Sequence, residues 1–217
     1  MHRNLGCVMT TSHPGPRADT DGSRRGEEHA VDAEVFRSAF RRHPAGVVVI
    51  TADAGSGPVG FTASSLVSVS LQPPLIAFTI TTGASSWPTI GSVESLVVNF
   101  LAAGQASIAR CFAQLGADRF SEPTRWSRLP TGEPVLDEAP GHLRVVVENR
   151  WPVGDHRLVV ACVVDHAGRS DYEPLIYHDG GYTTVDRGHG GDASLQRRSS
   201  ASEDLELPGP DADGSRA

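Results

Sequence analysis

Lysine is absent from this chain of 217 residues, so all nineteen basic side chains are arginine. Without lysine the chain cannot contain a Walker-type phosphate loop, which places a lysine on the nucleotide phosphates. It also cannot form a pyridoxal phosphate Schiff base or use a lysine nucleophile. The arginines are scattered and the formal net charge is −7. Because no basic stripe is available to follow a phosphodiester backbone, nucleic acid is not an expected partner.

Cysteine is rare, and long apolar runs are missing. The three cysteines, Cys7, Cys111 and Cys162, are far apart and odd in number, which matches neither a disulfide framework nor a zinc-ligand spacing. The nine histidines include no H-E-x-x-H motif, so no metal is expected. No run approaches the roughly 20 apolar residues of a membrane span, and no signal-peptide core begins the chain. We expect a soluble, cytoplasmic protein without a membrane partner.

The two ends of the chain differ in composition from its middle. Residues 1–30 and 188–217 are rich in glycine, serine and charge and carry too little apolar surface to order themselves, which predicts two disordered tails. The hydrophobic content of 39% is enough for one buried core. The sequence therefore predicts one domain over residues 31–187.

Strand patterns outnumber helix patterns in that domain. Short helices are predicted from a capping Asp32 through Phe40, after Ser85 or Ser86, and over residues 105–115. Strands are predicted at 47–51, in one continuous segment from 60 to the double proline at 73–74, and at 75–81, 96–101, 143–150, 157–166, 175–177 and 182–185. Seven or eight strands with few helices indicate a closed or partly closed antiparallel barrel, which leaves few exposed strand edges.

The segment from Gly60 to Pro74 is unusually rich in small hydroxyl side chains. Serine and threonine offer donors and acceptors without bulk, and they leave backbone N–H groups accessible to a flat, phosphate-bearing ligand. The alternative is an ordinary polar face on an exposed strand. The residues by themselves do not decide between the two.

Two familiar motifs are excluded by their surroundings. The run 55–60 matches G-x-G-x-x-G, but a strand pattern follows it and no acidic residue occurs between Asp53 and Glu94, which favours a hairpin turn over a dinucleotide loop. G-x-S-x-G is absent, so the serines are interpreted as hydrogen-bonding groups rather than nucleophiles.

Taken alone, Gly154-Asp155-His156 indicates a turn with a surface histidine, and Asn99 indicates a buried amide.

Seven short motifs in one order change this interpretation, because the chain from about Phe36 to Val185 resembles the flavin reductase family of FMN-binding split barrels. The motifs are Pro44 to Thr51, Gly60 to Leu75, Ser85 to Ile90, Val98 to Leu101 with Gln105, Asp118 to Phe120, Gly154 to His156 and Pro174 to Tyr182.

The resemblance implies a mainly β fold, a split antiparallel, Greek-key-like β-barrel with a few short helices. It implies an NAD(P)H:flavin oxidoreductase that passes a hydride from NADH or NADPH to FMN or FAD, and a homodimer that supplies reduced flavin to a partner flavin-dependent monooxygenase. Two alternatives stay open: an oxidoreductase that retains FMN and acts on another substrate, and a flavin-binding module without turnover.

The resemblance also implies site residues. The turn containing His156 would position the nicotinamide, together with Tyr182. His156 is the candidate catalytic residue, and its expected role is more to place the nicotinamide than to transfer a proton. The flavin phosphate would meet Ser85, Ser86 and Thr89 at the start of a short helix. Family members often carry a basic residue there, but residues 81–92 contain none. The other expected flavin contacts are Thr62, Ala63, Ser64, Ser65, Ser68, Val69, Ser70, Leu71, Asn99 and Gln105.

Overall fold

The computed structural model describes residues 30–169 and 171–185. The chain divides into two units, Met1–Phe40 and Arg41–Ala217. The predicted tails, 1–30 and 188–217, lie outside the described residues except for residue 30, and Cys7 lies outside them as well. In this part of the chain no helix is both long and apolar enough to cross a bilayer. A cytoplasmic location stays a prediction.

The described part of the first unit contains almost all of helix α1 (Ala33–Arg41). The side chain of Asp32 accepts the backbone N–H of Glu34 at 2.7 Å, so the predicted cap at the start of this helix is confirmed. The rings of Phe36 and Phe40 lie 4.7 Å apart between centroids on the exposed surface of the helix.

The second unit is mainly β with few short helices, as the sequence predicts. Its helices are α2 (Trp87–Ile90) and α3 (Ala106–Ala113), the latter preceded by a 3-10 turn at Ala103–Gln105. The strands are β1 (Ala45–Gly46), β2 (Val48–Asp53), β3 (Pro58–Ala63), β4 (Val67–Leu71), β5 (Pro74–Thr81), β6 (Ser95–Phe100), β7 (Trp126–Arg128), β8 (Pro134–Leu136), β9 (Gly141–Val153), β10 (His156–Gly168), β11 (Leu175–His178) and β12 (Gly181–Thr184).

Seven of these strands form one antiparallel sheet in the order β3-β2-β6-β9-β10-β5-β4. Strands β3 and β4 are consecutive in the chain, but they lie at opposite edges of the sheet. Only residues 64–66 connect them. A connection this short requires the sheet to curl until its two edges come close together. The result is a split barrel with its opening between β3 and the β4–β5 edge.

The predicted single strand over 60–74 was therefore wrong. A continuous strand would have kept residues 60–71 in one ladder, whereas the chain leaves β3 at Ser64 and enters β4 at Val67. Most of the segment is extended, as predicted. The break between β3 and β4 depends on the curvature of the barrel. The small hairpin of β7 and β8 was not predicted, because each strand has only three residues.

The predicted hairpin over 143–166 is confirmed and is longer than expected. Trp151 and Val153 continue strand β9, so the turn consists only of Gly154 and Asp155. Glycine fits this turn because its backbone φ of 57° is unfavourable for most side chains.

Alternate residues of the strands point to opposite faces of the sheet, where they fill two hydrophobic cores. Val48 and Ile50 of β2 point into this core, whereas Val49 points to a second core beneath α3. Strand β2 is thus buried on both faces, which explains its unbroken apolar sequence. The first core also contains Ile76, Phe78, Ile80, Leu96, Val98, Val145 and Val159, and the second contains Val47, Leu101, Ala109, Phe112, Leu136 and Leu175.

The glycines of the G-x-G-x-x-G run serve a hairpin, as the sequence favoured. The carboxylate of Asp53 accepts the backbone N–H groups of Gly55 and Gly57, both of which have positive φ. Gly60 lies within β3 and packs against α3. A Cβ at this position would lie 2.8 Å from a ring carbon of Phe112 and 2.9 Å from the Ile50 carbonyl oxygen.

Candidate active site at the end of strand β5

The opening of the barrel is bridged by one hydroxyl group. Ser65 Oγ accepts the backbone N–H of Thr79 at 2.9 Å and donates to the Thr79 carbonyl at 3.3 Å. These groups of β5 are left without a ladder partner because β4 pairs with β5 only as far as Ala77. The serine side chain therefore continues the pairing beyond the end of β4.

The hydroxyl-rich strip predicted to contact flavin is partly exposed along this opening. Ser64, Ser65 and Ser68 are exposed, as are Val69 and Leu71. Thr62 instead turns toward α3, where its hydroxyl donates to the carbonyl of Ala109 at 2.7 Å. Ala63 is buried at 5% exposure and Ser70 is half-buried. The strip therefore offers exposed hydroxyls at Ser64 and Ser68, whereas those of Thr62 and Ser65 are bonded to backbone groups.

A cavity of about 340 Å³ lies beside the strip, between β3, the start of α2 and the loop after α3. Ser86 is 1% exposed, and its hydroxyl has no hydrogen-bond partner in the described structure. Arg119 reaches the cavity from the other side, and its Nη1 donates to Ser85 Oγ at 3.2 Å. The full lining is Pro58, Val59, Gly60, Ser85, Ser86, Ala117, Asp118, Arg119 and Phe120. Thr89, the third residue expected at a phosphate, is half-buried on α2.

The tip of the β9–β10 hairpin is tied to the end of β5. The carbonyl oxygen of Asp155 accepts hydrogen bonds from the Thr82 N–H at 3.1 Å and from the Thr82 and Thr81 hydroxyls at 3.2 and 3.4 Å. The Asp155 carboxylate lies 2.7 Å from Nδ1 of His156. This hydrogen bond lowers the pKa of Asp155 below its ordinary value. The His156 side chain is 43% exposed and presents its other nitrogen away from Asp155.

These three groups converge on eight consecutive residues. Ser65 bonds to Thr79, the His156 turn bonds to Thr81 and Thr82, and the cavity begins at Ser85 and Ser86. The end of β5 and the connection to α2 thus contact segments that are far apart in the chain, around Ser65, Arg119 and His156. No single segment of the sequence reveals this arrangement.

The register of the sheet places His156 on its outer surface. His156 is opposite Val153 and Thr81, while Leu158 is opposite Trp151 and Thr79. Directly opposed residues of antiparallel strands share one face. This outer face, defined here by Val67, Thr79, Thr81, Trp151, Val153, His156 and Leu158, includes exposed apolar side chains at Val67 (54%), Trp151 (47%) and Val153 (54%).

Asn99 lies in the core rather than on a surface that could meet a cofactor. Its amide donates to the Val49 carbonyl and the Thr51 hydroxyl, each at 3.0 Å, and its oxygen accepts the Leu136 N–H at 2.9 Å. The residue is 0% exposed. Both ends of the Asn99 amide are thus bonded to protein, and its expected place in the cofactor wall stays a prediction.

Gln105 and Tyr182 also lie away from the other groups. Gln105 Oε1 accepts the Ala102 N–H at 2.9 Å, and its nitrogen donates to the Glu138 carbonyl at 3.0 Å. Tyr182 belongs to the small β1-β11-β12 sheet and packs against the second core, with burial raising its pKa. None of these contacts joins Gln105 or Tyr182 to the end of β5, and their expected roles in cofactor and nicotinamide binding stay predictions. Metal ligation is not indicated within residues 30–169 and 171–185, since no three His, Cys, Asp or Glu side chains are grouped there.

Comparison with known proteins identifies the domain. Residues 40–186 match the model of the flavin reductase like domain. The chain belongs to this family. A relative from Rhodococcus qingshengii named NADH:FMN oxidoreductase is 48% identical over 151 residues, covering 68% of this chain and 79% of that protein. A reductase subunit of a flavin-dependent monooxygenase from Rhodococcus jostii is 31% identical over 157 residues, covering 72% of this chain and 80% of its own length.

Solved flavin reductase structures share the fold. One is the NADH:FAD oxidoreductase of Streptomyces globisporus in complex with NAD and FAD fragments, with a TM-score of 0.69 and 29% identity. The match covers 75% of this chain and 99% of that one. The family and the split-barrel fold implied by the sequence motifs are therefore confirmed.

One residue of the site was not singled out by the sequence. Arg119 belongs to the Asp118-Arg119-Phe120 motif, from which no role for the arginine follows. One feature of the sequence could have pointed to an arginine: residues 81–92, which include the serines expected to meet a phosphate, contain no basic residue. That gap leaves two alternatives: an arginine from elsewhere supplies the charge, or hydroxyl and amide donors suffice.

Proposed function

We propose that this chain is an NADH-dependent flavin reductase that reduces FMN at the end of strand β5. The observation that carries the proposal is the convergence of the Ser65 bridge, the Ser85–Ser86 cavity and the His156 turn on Thr79 to Ser86. A flavin needs hydrogen-bonding groups beside its ring, polar groups at its phosphate, and space for the nicotinamide. Relatives named NADH:FMN oxidoreductase favour NADH and FMN among the possible pairs.

The residues of the cavity suit a phosphorylated flavin. The buried Ser86 hydroxyl and the Nε of Arg119 are polar atoms without a protein partner, and a phosphate oxygen would satisfy such atoms. The exposed hydroxyls of Ser64, Ser65 and Ser68 lie where the ring and ribityl chain would follow the strip. When bound, the flavin accepts a hydride at N5 from the nicotinamide C4.

We assign a positioning role to His156 and its turn. Three hydrogen bonds from Thr81 and Thr82 to the Asp155 carbonyl fix the backbone of the turn against β5. The Asp155 carboxylate then orients the imidazole through Nδ1. Holding two rings with their reacting atoms about 3 to 3.5 Å apart lowers the barrier by several kcal/mol, so a strong general acid is not needed.

We propose further that the reduced flavin leaves for a separate monooxygenase. The support is the similarity to the reductase subunit of a flavin-dependent monooxygenase from Rhodococcus jostii. A flavin that must leave requires moderate affinity, and a dissociation constant near 1 μM corresponds to about 8 kcal/mol. The exposed strip and the half-open barrel agree with reversible binding.

We also propose a homodimer formed through the outer face. Val67, Trp151 and Val153 are exposed apolar side chains on the same surface as His156. Several exposed apolar side chains on one face are typical of an interaction site in soluble proteins. A second copy would cover these side chains and shield the neighbouring His156 from bulk water.

The central experiment measures NADH and NADPH oxidation with FMN, FAD and riboflavin in all combinations. We expect steady NADH oxidation with added FMN, and release of flavin during gel filtration. If no combination is turned over although FMN binds, the protein is a binding module and the proposed function is wrong. Flavin that stays bound through gel filtration would instead favour direct action on another substrate.

The homodimer is tested by light scattering on the full chain. We expect a dimer for the wild type and a monomer for Trp151→Glu combined with Val153→Glu. Leu115→Glu is the matched control, because Leu115 is 80% exposed but lies at the end of α3, outside the outer face. A wild-type monomer, or equal behaviour of both variants, would contradict the assignment of this face.

A further inference from the structure

A separate cavity lies at the end of strand β10 that is farthest from His156. Its volume is about 590 Å³, which is within the usual range for small-molecule sites. Strand β10 has 13 residues, so at about 3.3 Å per residue its two ends are roughly 40 Å apart along the strand. We call this space the distal cavity and define it by the side chains of Phe100, Leu143, His166, Arg169, Tyr172 and Pro174.

Two glycines leave part of the distal cavity without side chains. Gly141 of β9 is paired with Gly168 of β10 on one side and with Phe100 of β6 on the other, and both glycines line the cavity. A Cβ at Gly168 would lie 2.4 Å from the Cα of Gly141, so the two backbones approach too closely for any larger residue. The sheet therefore presents bare backbone here, on which a flat group can lie.

The register of the strands places aromatic and apolar side chains beside this bare backbone. Directly opposed residues of antiparallel strands share a face, and so do residues two apart on one strand. Phe100, Leu143 and His166 therefore lie on the same face as the glycine pair. Phe100 and Leu143 are half-buried and pack against the first core, so the distal cavity adjoins that core.

A second wall comes from the loop before β11. Tyr172 and Pro174 are half-buried there, and the carbonyl of Glu173 between them accepts the backbone N–H of Ala103 at 2.8 Å. Pro174 also forms a β-bridge with Ala102. Because the loop is fixed to the segment before α3, its aromatic side chain is held beside the cavity before any ligand arrives.

The charge around the distal cavity favours an anion. No acidic residue is among the described residues that line it, although the whole chain has a net charge of −7. Arg169 lines the cavity, and its backbone N–H donates to the Pro140 carbonyl at 2.9 Å. Its Nε lies 3.7 Å from the exposed Asp171 carboxylate, a long surface ion pair that contributes little. The Asp165 carboxylate accepts the backbone N–H of His166. The guanidinium of Arg169 is therefore accessible to a carboxylate from outside the chain.

We propose that the distal cavity binds a small aromatic carboxylate. Arg169 holds the carboxylate through charge-assisted hydrogen bonds. The ring lies on the backbone of Gly141 and Gly168, where it contacts the aromatic side chains of Phe100 and Tyr172. The inference does not rest on the proposed function, because none of these residues belongs to the groups that converge on the end of β5.

Isothermal titration calorimetry on the full-length protein tests this inference with four probes. Benzoate has both the flat ring and the charge, benzamide lacks the charge, cyclohexanecarboxylate lacks the flat ring, and acetate has no ring. We expect benzoate to bind about tenfold more tightly than each of the other three. Equal affinity for benzoate and benzamide, or for benzoate and cyclohexanecarboxylate, would overturn the inference.

Two variants test the assigned residues. Arg169→Gln should weaken benzoate binding about 10- to 100-fold and leave benzamide binding unchanged. Tyr172→Ala should weaken the binding of both probes, because it removes part of the aromatic wall. Arg125→Gln and Tyr177→Ala are the matched controls, since Arg125 and Tyr177 are exposed and lie outside the distal cavity.

Saturating FMN separates the distal cavity from the proposed flavin site. Benzoate affinity should be the same with and without FMN. Displacement of benzoate by FMN, or a wild type that does not bind benzoate, would overturn the inference. So would unchanged benzoate binding in Arg169→Gln, or an equal loss of benzoate and benzamide affinity in that variant. A wild type that binds benzoate through Arg169 but oxidises no NADH would overturn the proposed function and leave this inference standing.

Discussion

Ser65 and Thr79 are hydrogen-bonded across the opening of the barrel. The serine hydroxyl bonds to both the N–H and the carbonyl of Thr79, at 2.9 and 3.3 Å. The same bridge lies at the centre of the candidate site, because His156 and the Ser85–Ser86 cavity adjoin the residues after Thr79. One side chain therefore links the opening of the barrel to the candidate site.

Replacing Ser65 by alanine should weaken both functions of the bridge. Loss of two hydrogen bonds at a partly exposed position should lower the free energy of unfolding by about 1 kcal/mol. Flavin affinity should fall with it, because the bridge lies beside the proposed flavin site. Urea unfolding and flavin fluorescence measure the two effects. Ser64→Ala should leave the free energy of unfolding unchanged, since Ser64 is exposed, and an equal loss in both variants would contradict the bridge.

Replacing His156 by alanine should raise the Michaelis constant for NADH about tenfold and change kcat less. The imidazole is expected to orient the nicotinamide rather than transfer a proton, so its loss mainly weakens binding. Steady-state kinetics at saturating FMN provides the measurement. His166→Ala is the control at the opposite end of β10. An unchanged Michaelis constant in His156→Ala would remove this residue from the site.

Asn99→Ala should destabilise the protein by about 2–3 kcal/mol. The change leaves the Val49 carbonyl, the Thr51 hydroxyl and the Leu136 N–H without their buried partner. Thermal or urea unfolding measures the loss, and Asn149→Ala, at an exposed position, should be neutral. If Asn99→Ala instead loses flavin affinity with unchanged stability, Asn99 contacts the cofactor after all.

Glu133 should give the stability of the protein a dependence on acid pH. Burial opposes ionisation, but hydrogen bonds from Ser95 and Thr131 and the charge of Arg144 outweigh it and lower the pKa of Glu133 below 4.5. A lowered folded pKa means that ionised Glu133 stabilises the fold above pH 4.5, and that this contribution disappears as the pH falls through the folded value.

Urea unfolding at pH 7 and pH 3 tests this prediction. Glu133→Gln should be less stable than wild type at pH 7 and should lose less stability on acidification. Glu148→Gln, at an exposed position, should follow the wild type at both pH values. Identical pH dependence in wild type and Glu133→Gln would show that other carboxyl groups control acid unfolding.

Much of the fold was predictable because it follows from local patterns. The Asp32 cap, the strand at Ser95–Phe100, the long hairpin and the final strand pair were all predicted from side-chain alternation and turn residues. The ordered motifs also predicted the family and its split-barrel fold, which the comparison with known flavin reductases confirms.

The sequence by itself determined most of the extended segments and the turns between them, because these properties depend on neighbours along the chain, and the order of its motifs determined the family. Only the tertiary structure decided that β3 and β4 lie at opposite sheet edges, that Asn99 is a buried link, and that Arg119 meets Ser85. Each of these facts depends on how far the sheet curls. That curvature arises from contacts between strands distant in sequence, which no local pattern records.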